Sequence, residues 1–160
     1  MAFDNDSILE RFDRHALSLT YQDQRIEILC GLGESDVGIC DLAELHKMTG
    51  REHALLKWCE EGSHVWVIIR GAKHRCWIPP EFPEHGFVWY AHSHPYDDPK
   101  PSDADRHALS EVSKLNGQEV SVVVPESQKC AKFGSSDDLS GYKPYEPSNV
   151  SDMWEEHFKQ

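Results

Sequence analysis

No stretch of the 160 residues approaches the ~20 consecutive apolar positions a membrane-spanning helix requires, and the N-terminus lacks the basic-then-apolar layout of a secretion signal. The chain is therefore expected in the cytoplasm, with no membrane partner. Basic residues are scarce, 16 Lys and Arg against 28 Asp and Glu, and the resulting net charge of −12 repels polyphosphate, so no nucleic-acid partner is expected. Five cysteines (Cys30, Cys40, Cys59, Cys76 and Cys130) form no C-x-x-C pair and are odd in number, which excludes a disulfide framework and a cysteine-based zinc site. No internal repeat is visible. What remains, with 39% hydrophobic and 10% aromatic residues, is one globular domain over 1–160.

Three regions follow from the patterning. Residues 1–50 read as a helical region: Ser7 to Leu19 is amphipathic, although Leu17 and Leu19 equally suit a strand, and a second helix runs from Ser35 or Asp41 to Met48. Residues 51–133 read as the core. It begins with a meander, Glu52 to Trp58, Val65 to Arg70 and His74 to Ile78, before prolines 79, 80 and 83 interrupt it. Phe87 to Ala91 is then a compact buried strand, Ser102 to Asn116 a helix stopped by Gly117, and Glu119 to Val124 and Lys129 to Phe133 two further strands. Residues 134–160 read as a tail laid over the body.

The chemistry gathers at His92, His94, Ser102 and Asp105. Residues two apart on an extended strand point to one side, with α-carbons about 6.5 to 7 Å apart, so two imidazoles at that spacing can converge on one ion. A helix folding back after the loop brings Asp105 to the same ion and leaves a fourth position for water. The bland reading is a Ser102–Asp105 capping box beside two surface histidines. In a chain of this composition the combined spacing is expected by chance only about 0.005 times, which favours the metal reading.

His92-Ser93-His94-Pro95 followed by Pro101-Ser102-Asp103-Ala104-Asp105 matches H-x-H-x(7)-S-x(2)-D at every position and so resembles the signature of the JAMM (MPN+) zinc metalloproteases, in their bacterial JAB-type branch. The resemblance implies an α/β fold of cytidine-deaminase-like, three-layer kind, with a curved mixed sheet flanked by helices. It also implies one catalytic zinc on His92, His94 and Asp105, Ser102 helping to hold the oxyanion, and an upstream glutamate as general base. Glu52, in Arg51-Glu52-His53, resembles the segment that opens the corresponding strand in JAB-type relatives; Glu27, in Glu27-Ile28-Leu29-Cys30-Gly31, resembles the glutamate context of other members. Glu52 is preferred and Glu27 is the alternative. His53 should face away from Glu52, and His107 away from the metal.

The implied activity is that of a deubiquitinase-like isopeptidase. It hydrolyses peptide or isopeptide bonds after the C-terminal tail of ubiquitin or a ubiquitin-like protein, which would be the partner. The alternatives are a JAB-type toxin or effector delivered into a target cell, and a non-catalytic MPN-like scaffold. The complete ligand set counts against the scaffold, and the charge counts against a nuclease.

Overall fold

The computed structural model describes residues 17–21, 24–32, 38–60, 63–73, 76–96, 98, 100–127, 130–134 and 143–145. Strands β1 (Leu17–Tyr21) and β2 (Gln24–Leu32) precede helix α1 (Ile39–Thr49). Strands β3 (His53–Glu60) and β4 (Ser63–Arg70) form a hairpin, followed by one helical turn, α2 (Glu81–Glu84). Then come β5 (Val88–His94), α3 (Asp103–Asn116), β6 (Val120–Pro125), β7 (Cys130–Gly134) and β8 (Lys143–Tyr145). The strands make one mixed sheet in the order β1-β2-β4-β3-β5-β6-β7-β8, antiparallel except where β5 runs parallel to β6. The class is α/β.

Two apolar clusters, one on each face, give the sheet its layers. Leu42 and Leu45 of α1 pack against Leu55, Ile68, Tyr90, Ala91 and Val122. Leu109 and Val112 of α3 pack on the opposite side against Leu56, Ile69, Trp89, Val123 and Phe133. Because both faces are covered, the central strands read as unbroken apolar runs, Val-Trp-Val-Ile-Ile in β4 and Val-Trp-Tyr-Ala in β5.

A bulge in β5 decides which face carries the histidines. Leu55 lies opposite Ala91 and Leu56 opposite Trp89, so Tyr90 is an extra residue without a counterpart on β3. Tyr90 and Ala91 both reach the α1 cluster, and the alternation restarts one step late. His92 accordingly joins Trp89 and Phe133 on the α3 face, whereas Ser93 faces His46 of α1. Side chains replace the ladder at this point: Gln118 accepts from the Trp89 N–H at 2.9 Å and donates to its carbonyl at 2.7 Å. The Ser121 hydroxyl donates to that carbonyl as well, at 2.7 Å.

Two expectations are corrected. Residues 1–50 are not a helical region throughout, since β1 and β2 occupy 17–21 and 24–32; the helix expected from Ser7 falls outside the described residues up to position 16. The apolar stretch Arg25 to Leu32 is paired with both β1 and β4, which holds it extended. The meander has no third strand: Cys76 to Ile78 are irregular. Both edges of the β3–β4 hairpin are already taken, by β5 and β2, so Trp77 and Ile78 pack instead on the α3 side of the sheet. Among the described residues no helix is long and apolar enough to cross a membrane.

Candidate metal centre

His92 and His94 are the last members of β5 on the α3 face, and Asp105 sits in the first turn of α3. Their donor atoms form a near-equilateral triangle. Nε2 of His92 and Nε2 of His94 are 3.1 Å apart, and Oδ2 of Asp105 lies 3.2 Å from the first and 3.0 Å from the second. Donors about 2.0–2.1 Å from a tetrahedral zinc stand about 3.3 to 3.4 Å from one another, so the triangle has the size of three such ligands. His92, His94 and Asp105 are 1%, 6% and 9% exposed, which leaves little water to solvate the charge between them.

The hydrogen bonds behind the triangle set the chemistry of its atoms. Nδ1 of His94 lies 3.1 Å from the Asp98 carbonyl, which can only accept; Nδ1 therefore carries the proton and Nε2 presents a lone pair when the ring is neutral. That lone pair then faces a carboxylate oxygen, an arrangement that calls for a proton or a cation. In the absence of a cation, burial lowers the His94 pKa, but its bond to Asp105 and that carboxylate's charge prevail and raise it. Burial raises the Asp105 pKa, and the two imidazoles outweigh it, holding the carboxyl well below the usual carboxylate range. Two imidazoles and a carboxylate on one point are a donor set suited to a catalytic zinc, and the residues fit the ion.

Local folding places Asp105. Ser102 is the N-cap of α3: its Oγ accepts from the Asp105 N–H at 3.0 Å, and Oδ2 of Asp105 accepts from the Ser102 N–H at 2.9 Å. The capping box and the candidate ligand are thus the same carboxylate, and the bland reading of the sequence coexists with the metal reading. Ser102 is exposed at the mouth of the site.

The two candidate glutamates lie on opposite faces. Glu52 precedes β3, is 6% exposed, and has Oε1 3.9 Å from Nε2 of His94. Burial raises its pKa, opposed by His92 and His94 and reinforced by Asp105. Glu27 pairs with Arg70 at 2.8 Å and Arg51 at 3.3 Å on the α1 face, where those charges outweigh burial and lower its pKa. It is away from the triangle, and Glu52 is beside it.

A cleft of about 650 Å3 opens from this point between the segment around Trp77 and Ile78 and the exposed side of α3, with Glu52, His92 and Asp105 in its wall. His107 borders the cleft, is exposed, and stands 4.0 Å from Glu111 rather than joining the triangle. His53 is fully buried on the α1 face, accepting from Arg70 Nε at 2.9 Å. Trp66 and Trp89 are core residues, whereas Trp77 and Cys76 border the cleft; the Cys76 thiol donates to the Ile69 carbonyl.

Sequence reasoning missed the groups that support the triangle: the Asp98 carbonyl, Ser93, His46 and Gln118. The alternation of a strand hints that Ser93, between two histidines, faces the other way, but nothing in the sequence identifies His46 as what it meets. The chain matches no protein-family model, no curated protein and no solved structure.

Proposed function

We propose that this chain is a zinc-dependent hydrolase of JAMM (MPN+) type, with that family's cytidine-deaminase-like fold, cutting peptide or isopeptide bonds after the tail of ubiquitin or a ubiquitin-like protein. One observation carries the reading: the donor atoms of His92, His94 and Asp105 meet at 3.0 to 3.2 Å with the buried Glu52 carboxylate beside them in the wall of a cleft. The sequence signature carries the family and the substrate class, and the geometry supports the chemistry.

His92, His94 and Asp105 would hold the ion, which when bound supplies a Lewis acid to polarise the amide carbonyl and acidify a water near neutral pH. Glu52 takes a proton from the attacking water and delivers it to the amide nitrogen as the C–N bond breaks, leaving a carboxylate and a free amine. A carboxyl whose pKa is raised by burial suits a group that must both accept and release that proton. Ser102 Oγ already accepts from the Asp105 N–H and keeps its own hydroxyl proton for the carbonyl oxygen as negative charge grows there.

The test is a panel of ubiquitin-like fusions and conjugates incubated with the zinc-loaded protein, with and without chelator. Chelator-sensitive cleavage is expected, together with a loss of at least about 100-fold in Glu52→Gln at unchanged zinc content. A protein that takes up no zinc would be a scaffold. One that binds zinc and cuts no member of the panel would act on another target, as an effector does.

A further inference from the structure

We propose that the Ser93 hydroxyl is a positioning group that keeps Glu52 in register with the two histidines; this rests on the hydrolase reading above. The β3–β5 ladder ends at Ala54 opposite His92, while β5 continues beside β6 with Ser93 opposite Val124 and His94 opposite Pro125. Glu52 therefore stands two residues beyond the last rung. On one side its main chain is tied down, its N–H donating to the Ala72 carbonyl at 2.9 Å and its carbonyl accepting from the Gly71 N–H at 2.8 Å.

On the β5 side a side chain takes over where the ladder stops. The His53 N–H donates to Ser93 Oγ at 2.8 Å, and the same oxygen lies 3.1 Å from Nδ1 of His46 on α1. Ser93 is fully buried and His46 is 4% exposed, so these contacts are shielded from water. The bulge at Tyr90 makes the arrangement possible. By turning Ser93 to the α1 face and its neighbours His92 and His94 to the α3 face, it lets one residue of β5 hold the amide next to Glu52 from behind the site. Ser93 acts through the His53 amide and has no contact with the reacting atoms. The spacing it maintains is the 3.9 Å between the Glu52 carboxylate and His94 Nε2.

The test compares wild type, Ser93→Ala and Ser93→Thr by amide exchange at His53, zinc affinity in chelator competition, and kcat and KM on a cleaved fusion. In Ser93→Ala the His53 amide should exchange at least about 10-fold faster while those of Leu55 and Ile69 are unchanged, because only one hydrogen bond is lost. Zinc affinity should stay within about threefold, and kcat should fall about 10- to 100-fold with KM nearly constant, as misplacing a catalytic group by ~1 Å does. Ser93→Thr, which keeps the hydroxyl, should restore both. Wild-type kcat in Ser93→Ala, unchanged exchange at His53, or zinc affinity lost in parallel with turnover would overturn the proposal. If the alanine variant does not fold, Ser93→Cys, similar in volume and a weaker acceptor, is measured in its place. If wild type binds zinc and cleaves nothing, the hydrolase reading fails separately. Crystal structures of the zinc-loaded wild type and Ser93→Ala then decide the positioning role: a Glu52 carboxylate displaced from His94 supports it, and an unmoved one overturns it.

Discussion

Oδ2 of Asp105 accepts the main-chain N–H of Ser102 at 2.9 Å and, with its other lone pair, faces Nε2 of His94 at 3.0 Å. One atom thus closes the first turn of α3 and completes the donor triangle. The start of the helix and the site are built together, and a change at either residue should be felt in both.

Ser102→Ala removes the acceptor for the Asp105 N–H and should cost about 1 kcal/mol in urea denaturation of the metal-free protein. Ser102→Thr, which keeps the cap oxygen, should cost much less. Equal stability of the alanine variant and wild type would mean that the cap does not order α3.

Gln118→Ala should be far more damaging than its place at the end of a helix suggests. It strips the Trp89 N–H of its partner and takes one of two donors from the Trp89 carbonyl, inside the sheet where water cannot substitute. A loss of about 2 to 3 kcal/mol is expected in denaturation, with weaker zinc binding as the bulge that orients His92 relaxes.

Glu27→Gln and Glu52→Gln should separate stability from activity. Glu27 neutralises the buried Arg70, so its amide variant should lose about 1 to 2 kcal/mol in stability and keep turnover. Glu52→Gln should keep stability and lose turnover, as measured by thermal melts beside cleavage rates. The reverse pattern would move the general base to Glu27.

His53 gives the metal-free protein an acid sensitivity of known sign. Burial and Arg70 push its pKa down to about 3, so it stays neutral when folded but protonates near its ordinary value of ~6.5 once unfolded. Its contribution to stability is complete above about pH 6.5 and is lost as pH falls toward 3, at up to about 1.4 kcal/mol per pH unit. Denaturation midpoints collected between about pH 7 and 4 should show this slope in wild type and a shallower one in His53→Gln.

Much of this was legible in the chain because local rules and tertiary structure agree. Gly50 and Gly117 end α1 and α3 in left-handed conformations, Ser102 caps α3, and the apolar run from Phe87 delivers the two histidines at the end of a buried strand. The illegible parts depend on partners distant in sequence. Leu17 to Leu32 has an apolar pattern compatible with helix or strand, and only pairing to β4 settles it. Cys76 to Ile78 carry strand-forming residues with no free edge to join. The choice between Glu27 and Glu52 is a question of face, decided by registers across four strands and a bulge that no residue type announces.

The most direct measurement is the zinc content of purified protein from zinc-supplemented cells, taken by elemental analysis beside His92→Ala, His94→Ala and Asp105→Asn. One ion per wild-type chain, retained in Glu52→Gln and lost from the other three variants, is the predicted result. A wild-type chain that carries no zinc, or whose zinc survives loss of both histidines, would contradict the account.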